Sequence, residues 1–67
     1  MRLAVNGKQR EVEGAPTIRA FLELNEINPQ LVAVEHNGEI IRRERLAEVV
    51  LHEGDTLEII HVVGGGC

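Results

Sequence analysis

The chain has 67 residues, a formal charge of −4 from 7 basic and 11 acidic side chains, one aromatic residue, Phe21, and one cysteine, Cys67. This length makes one domain that buries only about 60% of its unfolded surface, and an interior active-site cavity would consume much of so small a core. A lone cysteine excludes an internal disulfide, His36, His52 and His61 are too dispersed to form a zinc motif, and no apolar run exceeds four residues, which excludes a membrane-spanning helix. The acidic balance, the absence of Trp and Tyr, and a basic cluster limited to Arg42, Arg43 and Arg45 argue against a nucleic-acid surface. The expected setting is the reducing cytoplasm, with no metal bound.

Met1, Leu3 and Val5 alternate with Arg2 and Ala4, the period-two pattern of a strand with one buried face. Asn6-Gly7 follows at once, a strong hairpin signal because a type I′ turn needs positive φ at both central residues. The return segment, Lys8 to Val12, is polar and reads as an edge strand. Gly14-Ala15-Pro16 breaks the sheet, and Thr17 is placed to cap a helix carrying Ile18, Phe21 and Leu22, with Leu24 extending its buried face. Asn25 to Pro29 ends that helix. Leu31 to His36 is rich in β-branched residues and stops at a second turn, Asn37-Gly38, after which Ile40 and Ile41 resume an extended run. Arg42 to Leu51 mixes charges with Leu46, Ala47, Val49 and Val50 and fits a short helical turn or irregular crossover. After the turn Glu53-Gly54-Asp55, the last strand runs from Thr56 to Val63 with Leu57 and Ile59 inward.

This order predicts an α+β domain over residues 1–63, with a mixed sheet of four to five strands packed on one main helix. The most apolar strands, first and last, pair at the centre, which is the β-grasp arrangement. Residues 64–67 form a tail, and glycine's large entropy cost on ordering predicts that it is flexible. Gly64, Gly65 and Gly66 have no side chains to obstruct a narrow channel, so the tail can be threaded into a partner's active site while the domain docks outside. A glycine carboxylate is a poor electrophile. Adenylation by ATP with magnesium would activate it, and a sulfur nucleophile could then displace AMP.

The segments Val34-Glu35-His36-Asn37-Gly38-Glu39-Ile40, Glu53-Gly54-Asp55-Thr56-Leu57-Glu58-Ile59 and Val62-Val63-Gly64-Gly65-Gly66 resemble those of the ThiS family of ubiquitin-like sulfur carriers. Val5-Asn6-Gly7 and the stretch from Gly14 to Leu22 match as well. The resemblance implies a protein cosubstrate, not an enzyme. A ThiF- or MoeB-type enzyme would adenylate Gly66, and sulfur from a cysteine desulfurase persulfide would turn it into a thiocarboxylate. Thiazole synthase, ThiG, would then take the sulfur into the thiazole of thiamine. It also implies no stably bound cofactor, since ATP and magnesium serve the activating enzyme. Delivery to molybdopterin or cysteine, or a β-grasp interaction module without acyl chemistry, are the alternatives that remain.

Cys67 departs from the family's diglycine end, because it locks the acyl group of Gly66 in an amide. The expectation is that a peptidase removes Cys67 before the carrier is competent; the alternative is an appended or retained residue. Outward Ile60 and Val62 beside the tail, with outward Glu58 and Glu35 on neighbouring strands, form the expected partner interface. His61 is expected on the inner edge as a partly buried structural residue, and His36 and His52 at the surface.

Overall fold

Each of the two Asn-Gly dipeptides closes a hairpin. Asn6 and Gly7 have φ of 51° and 83°, Asn37 and Gly38 of 50° and 86°, the left-handed pairs that a type I′ turn requires. The structure is a computed structural model and describes residues 1–62. Strand β1 (Arg2–Val5) turns at Asn6-Gly7 into β2 (Lys8–Glu11), and β3 (Val32–His36) turns at Asn37-Gly38 into β4 (Glu39–Ile41). Helix α1 (Ile18–Leu24) lies between the hairpins in sequence, and β5 (Thr56–His61) comes last. The described strands form one five-stranded sheet in the order β2-β1-β5-β3-β4. β5 pairs parallel with β1 and antiparallel with β3, so the last strand is central and β2 and β4 are the edges.

The core is the layer between α1 and one face of the sheet. Leu3, Val5, Val32, Val34, Leu57 and Ile59 are buried there with Ile18, Phe21 and Leu22 of the helix. Each such side chain contributes about 1.5–3 kcal/mol by leaving water. The helix has only seven residues, too few to stand without this packing. Its first-turn donors are satisfied from two sides. Thr17 Oγ1 accepts the Ala20 N–H at 3.1 Å, while the carbonyls of Val49 and Leu46 accept those of Ile18 and Arg19 at 3.1 and 3.0 Å. The crossover from 42 to 51 therefore completes the helix as well as connecting strands; its regular part is one 3₁₀ turn, Arg43–Arg45.

Leu24, expected on the buried face, is instead exposed (58%). At about 100° per residue it lies well around the helix from the stripe set by Ile18, Phe21 and Leu22, and Asn25 occupies the next position of that stripe. Asn25 caps the end, donating its side-chain amide to the Phe21 carbonyl at 2.9 Å. The chain then reverses through Glu26, at φ 59°. The Ile27 N–H reaches the Leu22 carbonyl at 2.8 Å and the Glu26 N–H reaches Glu23 at 3.0 Å, a Schellman stop with a glutamate where glycine is usual. Leu31 also differs from expectation. It closes a 3₁₀ turn, Pro29–Leu31, whose capping Asn28 accepts the Gln30 N–H at 2.8 Å, and the strand begins at Val32.

Candidate functional site

The candidate site is the end of β5 and the open sheet face beside it. Outward alternation puts Glu58 and Ile60 of β5 on the face away from the helix. The register sets Glu35 directly against Glu58, Ala33 against Ile60, and Ile40 of β4 against Glu35. Glu35 and Glu58 are half-buried and among the described residues neither joins an ion pair, so two carboxylates face each other across the strands. Like charges in that position repel. Ile60 (56% exposed), Val62 (49%) and Ile40 (74%) flank them, and the result is an apolar patch with a negative centre. The structure thus brings together the four residues expected at a partner interface, Ile60, Val62, Glu58 and Glu35.

β5 is held differently on its two flanks as it leaves the sheet. On the β3 side the register runs to Val32 opposite His61, and the Leu31 carbonyl accepts the Val62 N–H at 2.9 Å. On the β1 side the backbone ladder stops at the bond from the Asn6 N–H to the Leu57 carbonyl, 2.8 Å. The next rung is made by a side chain: Asn6 Oδ1 accepts the Ile59 N–H at 2.7 Å and its Nδ2 donates to the Ile59 carbonyl at 3.3 Å. Gly64, Gly65, Gly66 and Cys67 lie outside the described residues.

The histidines need two corrections. His61, expected partly buried, is exposed, at the last position of β5. His36, expected at the surface, keeps only 15% side-chain exposure and places Nε2 2.8 Å from Asp55 Oδ2. Asp55 also accepts the His52 N–H at 2.9 Å and the Asn37 Nδ2–H at 3.1 Å, and Asn37 Oδ1 accepts the Thr56 N–H at 2.8 Å. Burial pushes the Asp55 pKa up, but the hydrogen bonds from His36, His52 and Asn37 and the attraction of His36 outweigh it and leave the carboxyl below its usual value. Sequence reading missed this network and the Asn6 contact, since an Asn-Gly dipeptide announces a turn and says nothing of where the amide reaches.

Arg42, Arg43 and Arg45 are engaged locally. Arg42 pairs with Glu44 at 3.7 Å, Arg45 with Glu48 at 2.9 Å, and Arg43 donates to the Pro29 carbonyl at 3.3 Å. Among the described residues no three His, Cys, Asp or Glu side chains are placed to hold a metal, and no helix is long and apolar enough to cross a membrane.

Comparison with known proteins bears on the whole domain. The family model described as the ThiS family matches residues 3–66. The sulfur carrier protein ThiS of Bacillus subtilis (strain 168) is 42% identical over 65 residues, covering 96% of this chain and 98% of that protein. A thiazole synthase of Paramagnetospirillum magneticum is 38% identical over 66 residues, which is 98% of this chain but 20% of the length of that relative. A second, from Magnetococcus marinus, is 35% identical with the same coverage. The crystal structure of a thiamine biosynthesis protein (ThiS) from Geobacter metallireducens superposes with a TM-score of 0.83 at 35% identity, covering 98% of this chain and 100% of that one.

Proposed function

The chain belongs to the ThiS family, and from that premise we propose that it is a sulfur carrier for thiamine biosynthesis, a protein substrate and not an enzyme. What supports the reading is that the family match continues to residue 66, through the glycine run, on a fold whose central strand leads into that run. In the proposed reaction a ThiF- or MoeB-type enzyme holds ATP and magnesium. The Gly66 carboxylate attacks the α-phosphate, pyrophosphate leaves, and the acyl-adenylate forms. The outer sulfur of a cysteine desulfurase persulfide then displaces AMP to give an acyl disulfide, and a second thiol attacks the cysteine sulfur of its S–S bond, which leaves a disulfide on the thiol side and frees the thiocarboxylate for thiazole synthase. Gly64 and Gly65 form the slender neck that enters each enzyme. These steps use ATP and thiol chemistry, which places the proposed carrier in the cytoplasm.

The chemistry requires Gly66 to be terminal, so Cys67 must first be removed by a peptidase. The open face supplies the docking surface: Ile60 and Val62 give apolar contact, and Glu58 with Glu35 invites a basic side chain from the partner. Intact-mass measurement of the chain, after incubation with cell extract and then with adenylating enzyme, ATP and sulfur donor, tests the reading. The expected species ends at Gly66 and carries sulfur in place of one carboxylate oxygen. A thiocarboxylated chain that still carries Cys67 would overturn the processing step, and a chain ending at Gly66 that never gains sulfur would overturn the carrier reading.

A further inference from the structure

Asn6-Gly7 and Asn37-Gly38 carry the same latent reaction. In each, the glycine nitrogen can close on the asparagine carboxamide carbon, because glycine has no side chain to crowd the approach. Both asparagines sit at positive φ and both hold β5 with their side chains, yet the groups around the two carboxamides differ. Asn6 Oδ1 accepts the Ile59 N–H at 2.7 Å and its Nδ2 donates at 3.3 Å to the Ile59 carbonyl, which has no proton to give. Asn37 Oδ1 accepts the Thr56 N–H at 2.8 Å, while its Nδ2 donates to Asp55 Oδ1 at 3.1 Å and lies 3.5 Å from Nε2 of His36, which Asp55 Oδ2 holds at 2.8 Å. Loss of ammonia from an amide calls for a donor on the oxygen, where negative charge develops, and an acid beside the departing nitrogen. Imidazole exchanges protons near neutral pH, and a carboxylate bonded to it fixes its orientation.

The two hairpins also differ in how freely the glycine moves. Closure at Asn37 turns the backbone about its Cα–C bond, which swings the strand after the turn while the carboxamide stays on β5. β4 is an edge strand of three residues, with Glu39 and Ile40 exposed, so it can open locally. β2 has four residues and continues into Val12, which is buried in the core and whose N–H bonds to the Met1 carbonyl at 2.7 Å. The strand after Asn6-Gly7 is therefore tied down at its far end.

We propose that Asn37-Gly38 is a self-modifying site, at which His36 is the general acid, the Thr56 N–H stabilises the oxyanion and Asp55 orients His36. The Gly38 nitrogen attacks Asn37 Cγ and forms a C–N bond, its proton passes to solvent, and Oδ1 carries the charge. As the carbonyl re-forms, the Cγ–Nδ2 bond breaks and Nδ2 leaves as ammonia with a proton from His36, which regains one from solvent. Water then opens the succinimide at either carbonyl to give aspartate or isoaspartate, so the net change is amide plus water to acid plus ammonia. The aspartate product sets a second carboxylate where an amide donated to Asp55, and the isoaspartate product lengthens the backbone of the turn by one carbon. Either loosens the start of β5. The inference goes beyond the sulfur-carrier reading and does not depend on it.

The test follows the full chain in neutral buffer by peptide mapping and mass spectrometry, with conversion at Asn6 and Asn37 read separately. Each site's rate in the folded chain is taken relative to its own rate in denaturing urea, where neither carboxamide is held. The relative rate at Asn37 should exceed that at Asn6 by about tenfold or more, the contribution expected of a positioned acid. His36→Gln should bring Asn37 to within about threefold of Asn6 and leave Asn6 unchanged. A histidine that merely braced the hairpin would do the reverse, since its loss would raise Asn37 toward the rate in urea. If His36→Gln does not fold, Asp55→Asn takes its place: it keeps an oxygen for the Asn37 amide, removes the carboxylate that orients the imidazole, and should also slow Asn37. A folded wild-type chain in which Asn37 converts no faster than Asn6, or a folded variant in which Asn37 converts as fast as in wild type or faster, would overturn the inference.

Discussion

The two ends of β5 are built on opposite principles. At its start, Asp55 is almost enclosed and its carboxylate accepts bonds from His36, His52 and Asn37, with Leu57 fully buried two residues on. At its finish, Ile60, His61 and Val62 are exposed, and the strand is fastened by β3 on one flank and by the Asn6 amide on the other. Stability is thus concentrated where β5 enters the sheet, while the exit is left accessible. The proposed carrier chemistry beyond the last strand would need this division, because an exit buried as deeply as the entry could not be presented to an enzyme.

The sharpest way to break the comparison is a pair of substitutions three residues apart. Leu57→Ala should cost about 2–5 kcal/mol, read as a lowered midpoint in denaturant. Ile60→Asp should stay within about 0.5 kcal/mol of wild type, with an unchanged circular dichroism spectrum, yet slow activation by the adenylating enzyme. Comparable losses of stability at both positions would erase the distinction between entry and exit, and an unaffected activation rate would remove Ile60 from the docking surface.

A smaller effect probes the entry network. Asp55→Asn removes a carboxylate that accepts several hydrogen bonds and should cost about 1.5–3 kcal/mol near neutral pH. The folded-state pKa of Asp55 is depressed below the ordinary 3.8, so its contribution is present above that value and disappears as pH falls through the depressed one. The difference in melting temperature between wild type and Asp55→Asn should accordingly shrink as pH falls below the ordinary carboxylate range. A pH-independent difference would mean that packing, not the charge of Asp55, fixes the start of the strand.

The smallest effect has opposite signs in the two assays. Glu58→Gln relieves the repulsion with Glu35 and should stabilise the isolated chain by about 0.2–1 kcal/mol, while weakening docking to a basic partner surface. A variant both less stable and equally well activated would show that the paired carboxylates are neither strained nor used.

Most of the fold was legible in the sequence because its signals are local. Asn6-Gly7 and Asn37-Gly38 can turn only one way, Thr17 stands where a helix must be capped, and alternation in β3 and β5 assigns Val32, Val34, Leu57 and Ile59 to one face. The common outward face of Ile60, Val62, Glu58 and Glu35 followed from the same alternation. The errors arose where periodicity was extended past the element that covers it. Leu24 falls outside the helical stripe, and His61 has inward parity yet is exposed at the end of β5.

By itself, the sequence determined the strands, the helix, the central position of β5 and the resemblance that names the chemistry, since hydrophobic period, turn residues and glycine content are properties of neighbouring residues. Only the tertiary structure decided what polar side chains do across the sheet. Asn6 meets Ile59 and His36 meets Asp55 over separations of 53 and 19 residues, and no local pattern encodes a bond whose partner is brought near by the fold.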